Sequence, residues 1–473
     1  MKINGNVADL LLAQLAEWGV RRIYGVCGDA IFPLLDAFSR HSAPTFIATA
    51  HEAGASFAAS YEAAVTGNLA VCTATSGPGA VNLLAGLADA HMENRPVLAI
   101  TGQVETRKMG CGTVQFFDQQ SVYRNFASST SFLLDPGAVP DALLTAVRQA
   151  LLSSSVVHLS IPKDVLLAPV SAETLPAAVL EVSGSPVVCG GIDPVLAAVR
   201  PAQRPLVVMG REARPAKDLV LLLAGRLGAG LILAQEAKGA IPDDHELNLG
   251  GIGEAFLPPL LREADRIILI GSAPFEQQYF PPGAGLVHLG DRPQRLHRAL
   301  AASVTGDLRT ILKTLCDQLP DHAVNQEWLD RVKAQAGSRP KPEDIPARPG
   351  PMHPLRLMME LDRVMPHDAV ICLDVGEFIH WFDRGFCGRG QDILLSGKWE
   401  AIGAGLPAAL GVKLACPQRT VVAIVGDGGL LMSMAELVSC VRHRAAVVAS
   451  RARARRADAN RPAALIRAWL PAL

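Results

Sequence analysis

Apolar residues along the chain alternate between two spacings, one suited to a helix face and one to a buried strand. Leu10, Leu11, Leu15 and Trp18 mark one helical face, and Arg22 to Val26 reads as the first strand. Ala30 to Phe38 is helical, Thr45 to Thr49 a strand, and Glu52 to Val65 a helix rich in small residues. Ala70 to Thr73 is a strand that runs into the turn Ser76-Gly77-Pro78-Gly79. Val81 to Ala90 and Val139 to Leu152 return as helices, with strands over Pro96 to Thr101 and Val156 to Ile161.

The same alternation restarts after Pro186, with strands expected at Leu206 to Met209, Leu231 to Ala234, Arg266 to Ile270 and Leu286 to Leu289. The stretches before Pro186 and over Ala334 to Pro351 lack a hydrophobic period and read as linkers. A third unit opens on the helix at Pro354, followed by the strand Ala369 to Leu373 ending at Asp374. Ser396 to Leu414 supplies a glycine-rich turn and a small-residue helix, and Val421 to Val425 a strand ending in Gly426-Asp427-Gly428-Gly429. The fold class is α/β, with three doubly wound parallel-sheet domains over residues 1–170, 186–325 and 352–444, the third incomplete.

Composition narrows the functional classes. The 473 residues exceed one ordinary domain. Lys and Arg number 44 against 45 Asp and Glu, which gives no field for nucleic acid. The nine cysteines are scattered without a Cys-x-x-Cys spacing and read as reduced cytosolic thiols. Residues 1–9 carry no signal sequence, and the apolar window Leu219 to Leu233, broken at Gly225-Arg226, is too short to span a bilayer. A cytoplasmic protein is expected, without membrane or nucleic-acid partners.

Strand followed by acid and glycines, as at Gly426-Asp427-Gly428, is where open α/β sheets bind ligands, although such an acid also serves as a helix cap. Upstream stands Trp399-Glu400-Ala401-Ile402-Gly403-Ala404-Gly405-Leu406-Pro407, and downstream Met432-Ser433-Met434-Ala435-Glu436-Leu437. The N-terminal unit carries Tyr24-Gly25-Val26-Cys27-Gly28-Asp29, His51-Glu52-Ala53-Gly54, Gly77-Pro78-Gly79-Ala80-Val81-Asn82 and Ile161-Pro162-Lys163-Asp164. In order and spacing these resemble the diphosphate-binding and pyrimidine-binding domains of the thiamine-diphosphate enzymes of the acetolactate synthase, pyruvate oxidase and benzoylformate decarboxylase group.

The resemblance implies thiamine-diphosphate- and Mg²⁺-dependent decarboxylation of a 2-keto acid with carboligation, as in acetolactate synthase. Pyruvate oxidase or simple decarboxylase outcomes stay open, since Gln115-Phe116-Phe117-Asp118 departs from the synthase pattern. It implies that Glu52 hydrogen-bonds the aminopyrimidine and that Gln115 lies near substrate. Gly28, Gly77, Pro78, Gly79, Asn82, Ile402, Gly403, Gly426, Asp427, Gly428 and Gly429 would line the cofactor, with Asp427 on the metal. For each, a plainer role is also available: first-turn acid for Glu52, loop amide for Gln115, core residue for Ile402, turn or cap for the glycines and Asn82. Some relatives hold flavin adenine dinucleotide in the middle domain, and the Val208-Met209-Gly210-Arg211 turn either faces such a ligand or is an ordinary strand-to-helix turn. A homodimer or homotetramer is implied, with a small 2-keto acid as substrate.

One element of the family pattern is missing. An Asn-Asn pair should follow the glycines by about 25 to 30 residues and complete the metal shell. Here Ser450-Arg451-Ala452-Arg453-Ala454-Arg455-Arg456 occupies that stretch, with only Asn460 nearby. The expectation is a truncated or frame-shifted chain with a non-native tail over 445–473, and with it the alternative of a non-catalytic remnant.

Overall fold

The computed structural model describes residues 1–180, 191–251, 257–272, 279–292, 300–319, 324–337, 343, 345 and 352–452. It contains three parallel sheets flanked by helices. The first runs in the order Thr45–Ala48, Arg22–Gly25, Ala70–Ala74, Val97–Gln103, Val156–Pro162, Ser129–Phe132. The second runs Asn248–Gly251, Gly230–Leu233, Pro205–Met209, Arg266–Ile270, Gly285–Gly290, Leu300–Thr305. The third runs Asp392–Leu395, Val370–Leu373, Val421–Gly426, Val447–Ala452. Central strands such as Ala70–Ala74 and Pro205–Met209 are buried along their whole length, as strands covered on both faces must be.

Two departures concern domain edges. An antiparallel ribbon pairs Lys2–Asn6 with Pro169–Glu173, so the first domain runs past residue 170 and is not purely parallel. The middle domain runs past residue 325. The helix Gln326–Gln335 buries Trp328 in the middle core, where its indole N–H donates to the Pro205 carbonyl at 3.1 Å. Within the stretch 445–473 expected to be a non-native tail, Val447–Ala452 instead forms a strand in register with Val421–Gly426. The linkers before Pro186 and over 334–351 fall largely outside the described residues.

The domains meet at a buried charged junction. Arg95 of the first domain donates to Asp89 (3.0 Å) and Ser60 (3.1 Å), stacks over Tyr61 and donates to the Leu395 carbonyl of the third domain at 2.9 Å. Glu236 of the middle domain approaches it to 4.0 Å. Arg214 adds bonds to the carbonyls of Glu236, Lys238 and Gln391, tying the middle domain to the third. A buried guanidinium with this many acceptors avoids the cost of an unpaired charge. The first and third domains also pack helix on helix. A Cβ at Gly411 in the helix Gly405–Ala415 would lie 2.1 Å from the Ala58 carbonyl oxygen of the helix Glu52–Thr66, so only glycine admits this approach.

Candidate functional site: two glycine-lined crevices

In each sheet the strand order reverses between two inner strands, and at that point the loops leaving the strands' carboxyl ends diverge to leave a crevice. In the first domain the reversal lies between Arg22–Gly25 and Ala70–Ala74. Gly28 fits there because a Cβ would come within 2.4 Å of Thr75, whose hydroxyl accepts from the Ala30 N–H at 3.1 Å. Gly77 follows with φ +65°, a left-handed conformation that glycine adopts freely. Pro78 begins the short helix Pro78–Asn82.

Glu52, the first residue of its helix, is half-buried and reaches this turn. Its Oε2 accepts from the Asn82 side-chain amide at 3.0 Å, and a Cβ at Gly79 would stand 3.1 Å from its Oε1. Gln115 closes over the same turn, since a Cβ at Gly77 would meet its Cβ at 2.8 Å. Gln115 holds φ +66°, a strained value for a side-chain-bearing residue and of the kind that gathers at functional sites. Glu52, Gly77, Gly79, Asn82 and Gln115, scattered in sequence, thus form one cluster.

In the third domain the reversal lies between Val370–Leu373 and Val421–Gly426, so Asp374 and Asp427 emerge side by side from neighbouring strands. Asp427 starts the helix Asp427–Ser433 and accepts from the Gly428 N–H at 3.1 Å. Gly428 faces open space: a Cβ there would have nothing within 4 Å. Gly403, at φ +89°, packs against Met432, and Ile402 beside it is 48% exposed. An exposed isoleucine at this edge is no core residue.

Asp374 is the residue that sequence reasoning passed over. It is fully buried, accepts from the N–H groups of Val375 (2.8 Å) and Gly403 (2.9 Å), and leaves Oδ2 without a partner among the described residues. That oxygen faces Gly429, where a Cβ would lie 2.0 Å away. Burial pushes Asp374 up to about 6, opposed by the N–H groups it accepts from. Its signal was available, because Asp374-Val375-Gly376 repeats the strand-acid-glycine pattern of Gly426-Asp427-Gly428. Asn460 lies outside the described residues.

Comparison with known proteins matches three parts of the chain. Residues 5–122 fit the N-terminal binding domain of thiamine pyrophosphate enzymes, 192–315 their central domain and 374–449 their C-terminal binding domain. The large subunit of acetolactate synthase isozyme 1 of Escherichia coli K12 is 30% identical over 448 residues, which is 91% of this chain and 78% of that protein. The chain belongs to the thiamine pyrophosphate enzyme family. The catabolic acetolactate synthase of Raoultella terrigena is 29% identical over 93% of this chain and 81% of its own. A Pseudomonas aeruginosa protein named a probable 2-ketoarginine decarboxylase is also 29% identical, over 91% of this chain.

The geometry of this thiamine pyrophosphate enzyme fits its cofactor at both crevices. Glycine backbone at 426, 428 and 429 and at 77 and 79 lines the two loops, and the orphaned Asp374 oxygen stands against Gly429. For a metal the fit is narrower. Among the described residues no three His, Cys, Asp or Glu side chains converge to hold an ion. A hard cation bound through one carboxylate, phosphate oxygens and water needs no such cage, and Asp427 suits that arrangement.

Flavin does not fit the middle domain in the same way. Its reversal lies between Pro205–Met209 and Arg266–Ile270, and there Glu212 already accepts from the Ser272 N–H (2.9 Å) and hydroxyl. A carboxylate on those donors repels the anionic diphosphate of a dinucleotide. Arg211, in the turn assigned to flavin, instead donates to the Ala64 carbonyl of the first domain. Among the described residues no helix is long and apolar enough to cross a membrane.

Proposed function

We propose that this enzyme decarboxylates a 2-keto acid and joins the remaining fragment to a second keto acid, as acetolactate synthase does, using thiamine diphosphate and Mg²⁺. The observation that carries the reading is the Glu52–Asn82–Gly79 cluster, a half-buried carboxyl held by an amide donor beside a glycine wall. When bound, thiamine diphosphate supplies the electron sink for carbon–carbon cleavage.

Glu52 would hold a proton toward the cofactor's pyrimidine ring, while Asn82 keeps Oε2 from turning away. Gly28, Gly77 and Gly79 keep side chains out of the path of the pyrimidine ring. Ile402 and Gly403 support the middle of the cofactor, and Gly426, Gly428 and Gly429 present backbone N–H groups to its diphosphate. Asp427 would hold Mg²⁺ beside the diphosphate. Gln115, over the mouth of the Glu52 crevice, bonds the substrate carboxylate or carbonyl.

A homodimer or homotetramer is part of this reading. Leu431 and Met432 are each 70% exposed, and Ile402, Met434, Val438 and Val441 of the same domain are exposed apolar side chains as well. Light scattering on the purified protein checks it, and a monomer would overturn it.

Incubating the protein with pyruvate, thiamine diphosphate and Mg²⁺ and assaying acetolactate tests the reaction. Carbon dioxide with free aldehyde, and no acetolactate, would favour the simple decarboxylase reading that the 2-ketoarginine relative suggests. Absence of cofactor binding by calorimetry would favour a non-catalytic chain.

A further inference from the structure

The segment that leads into Glu52 is held from outside its own domain. Residues Ala48 to Gly54 leave the strand Thr45–Ala48 and enter the helix Glu52–Thr66. The ring of His51 caps that helix locally, accepting from the Ala53 N–H at 3.1 Å, but the N–H groups of Ala50 and His51 lie beyond its reach. Both donate to Glu436 of the third domain, to Oε2 at 3.2 Å and Oε1 at 3.1 Å.

Glu436 is only 2% exposed, so these are charge-assisted bonds shielded from water. Gly54 makes room for them, since a Cβ there would lie 2.1 Å from Glu436 Oε1. At the other end of the helix Glu436–Arg442, His443 Nε2 and Arg442 both meet the Ala48 carbonyl, at 2.9 and 3.4 Å. The same helix therefore grips both ends of the Ala48–His51 segment, and it follows directly on the short helix that begins at Asp427.

We propose that Glu436 is a positioning residue for Glu52: by clamping the Ala50 and His51 N–H groups it fixes the direction in which the Glu52 carboxyl enters its crevice, and it links that direction to the Asp427 loop. The proposal rests on the assignment of Glu52 to the cofactor's pyrimidine ring. A clamp serving stability alone would hold the domains together without affecting proton transfer at the cofactor.

The test uses the full chain and the variants E436A, E436Q, G54A and E52Q. In cofactor-free protein, amide hydrogen exchange over residues 48–54 should quicken about tenfold or more in E436A, the loss expected for bonds to a buried charge. E436Q, keeping one carbonyl acceptor, should fall between, while exchange in the helix Gly405–Ala415 stays as in the parent. G54A, which displaces Glu436 without removing it, should match E436A and serves if E436A does not fold. With thiamine diphosphate and Mg²⁺, deuterium exchange at the thiazolium C2 should slow about tenfold in E436A, with cofactor affinity changed less than about twofold.

Unchanged amide exchange over 48–54 would overturn the clamp. Faster amide exchange with unchanged C2 exchange would overturn the positioning role. E52Q should slow C2 exchange without altering amide exchange at 48–51. If E52Q leaves C2 exchange intact, the assignment of Glu52 fails, and the amide exchange of E436A still decides the clamp.

Discussion

Asn82 donates its side-chain amide to Glu52 across a glycine turn, at 3.0 Å from Oε2, and leaves Oε1 turned toward Gly79. A carboxyl pinned on one oxygen can present the other in a fixed direction. E52Q should lower kcat by about a hundredfold or more, as loss of a positioned acid–base group does. N82A, which keeps the carboxyl but frees its rotation, should cost about tenfold. Far-ultraviolet circular dichroism should be unchanged in both, because Glu52 is half-buried at a helix start. Equal losses in the two variants would mean that Asn82, not Glu52, carries the effect.

Asp427 stands beside glycines without a converging set of acids around it among the described residues. Mg²⁺ alone should therefore bind too weakly to be seen by calorimetry, and thiamine diphosphate with Mg²⁺ should bind together. Chelating the metal should release the cofactor. D427A should weaken the joint binding more than about tenfold with little change in melting temperature. Tight Mg²⁺ binding without the cofactor would point to a different ligand set.

Glu236 sits at the three-domain junction, 3.5 Å from Arg211 and 4.0 Å from Arg95, with Oε1 lacking a hydrogen-bond partner among the described residues. Burial raises it from the ordinary 4.5 to about 7, against the pull of those two arginines. The folded state therefore favours the protonated acid. The stability this gives is complete below about pH 4.5 and is lost as pH climbs through about 7. E236Q, neutral at every pH, should melt progressively above the parent as pH rises from about 5 to about 8. A constant difference across that range would show that Glu236 is already charged at the low end.

Glu212 occupies the donors at which a dinucleotide would anchor in the middle domain. The purified protein should be colourless and take up no flavin adenine dinucleotide. E212A frees the Ser272 N–H and hydroxyl and should melt lower by a few degrees. A yellow protein with a stoichiometric flavin would show that Glu212 does not keep the dinucleotide out.

Much of the fold and of the site was legible in the sequence for specific reasons. Long apolar runs such as Val421 to Val425 and glycine turns such as Gly77-Pro78-Gly79 encode their conformation locally. The elements that escaped notice are short and mostly at sheet edges. Lys2–Asn6, Ser129–Phe132 and Asn248–Gly251 contain Gly, Asn or Ser and gain their strand form from a neighbour rather than from propensity. Glu436 was visible within a motif, yet its partners, Ala50 and His51, are adjacent only once two domains have docked. Trp328 likewise fell outside the middle domain as bounded at residue 325, and only its burial against the Pro205 strand places it in the middle core.

Arg95 acquires its partners in the order in which the chain is synthesised. Ser60, Tyr61 and Asp89 precede it, Glu236 comes next, and the Leu395 carbonyl last. On the ribosome, a first domain folded by itself keeps this cation at a surface that water still covers. Full sealing of that surface awaits the emergence of residue 395, because the last of its acceptors lies in the third domain.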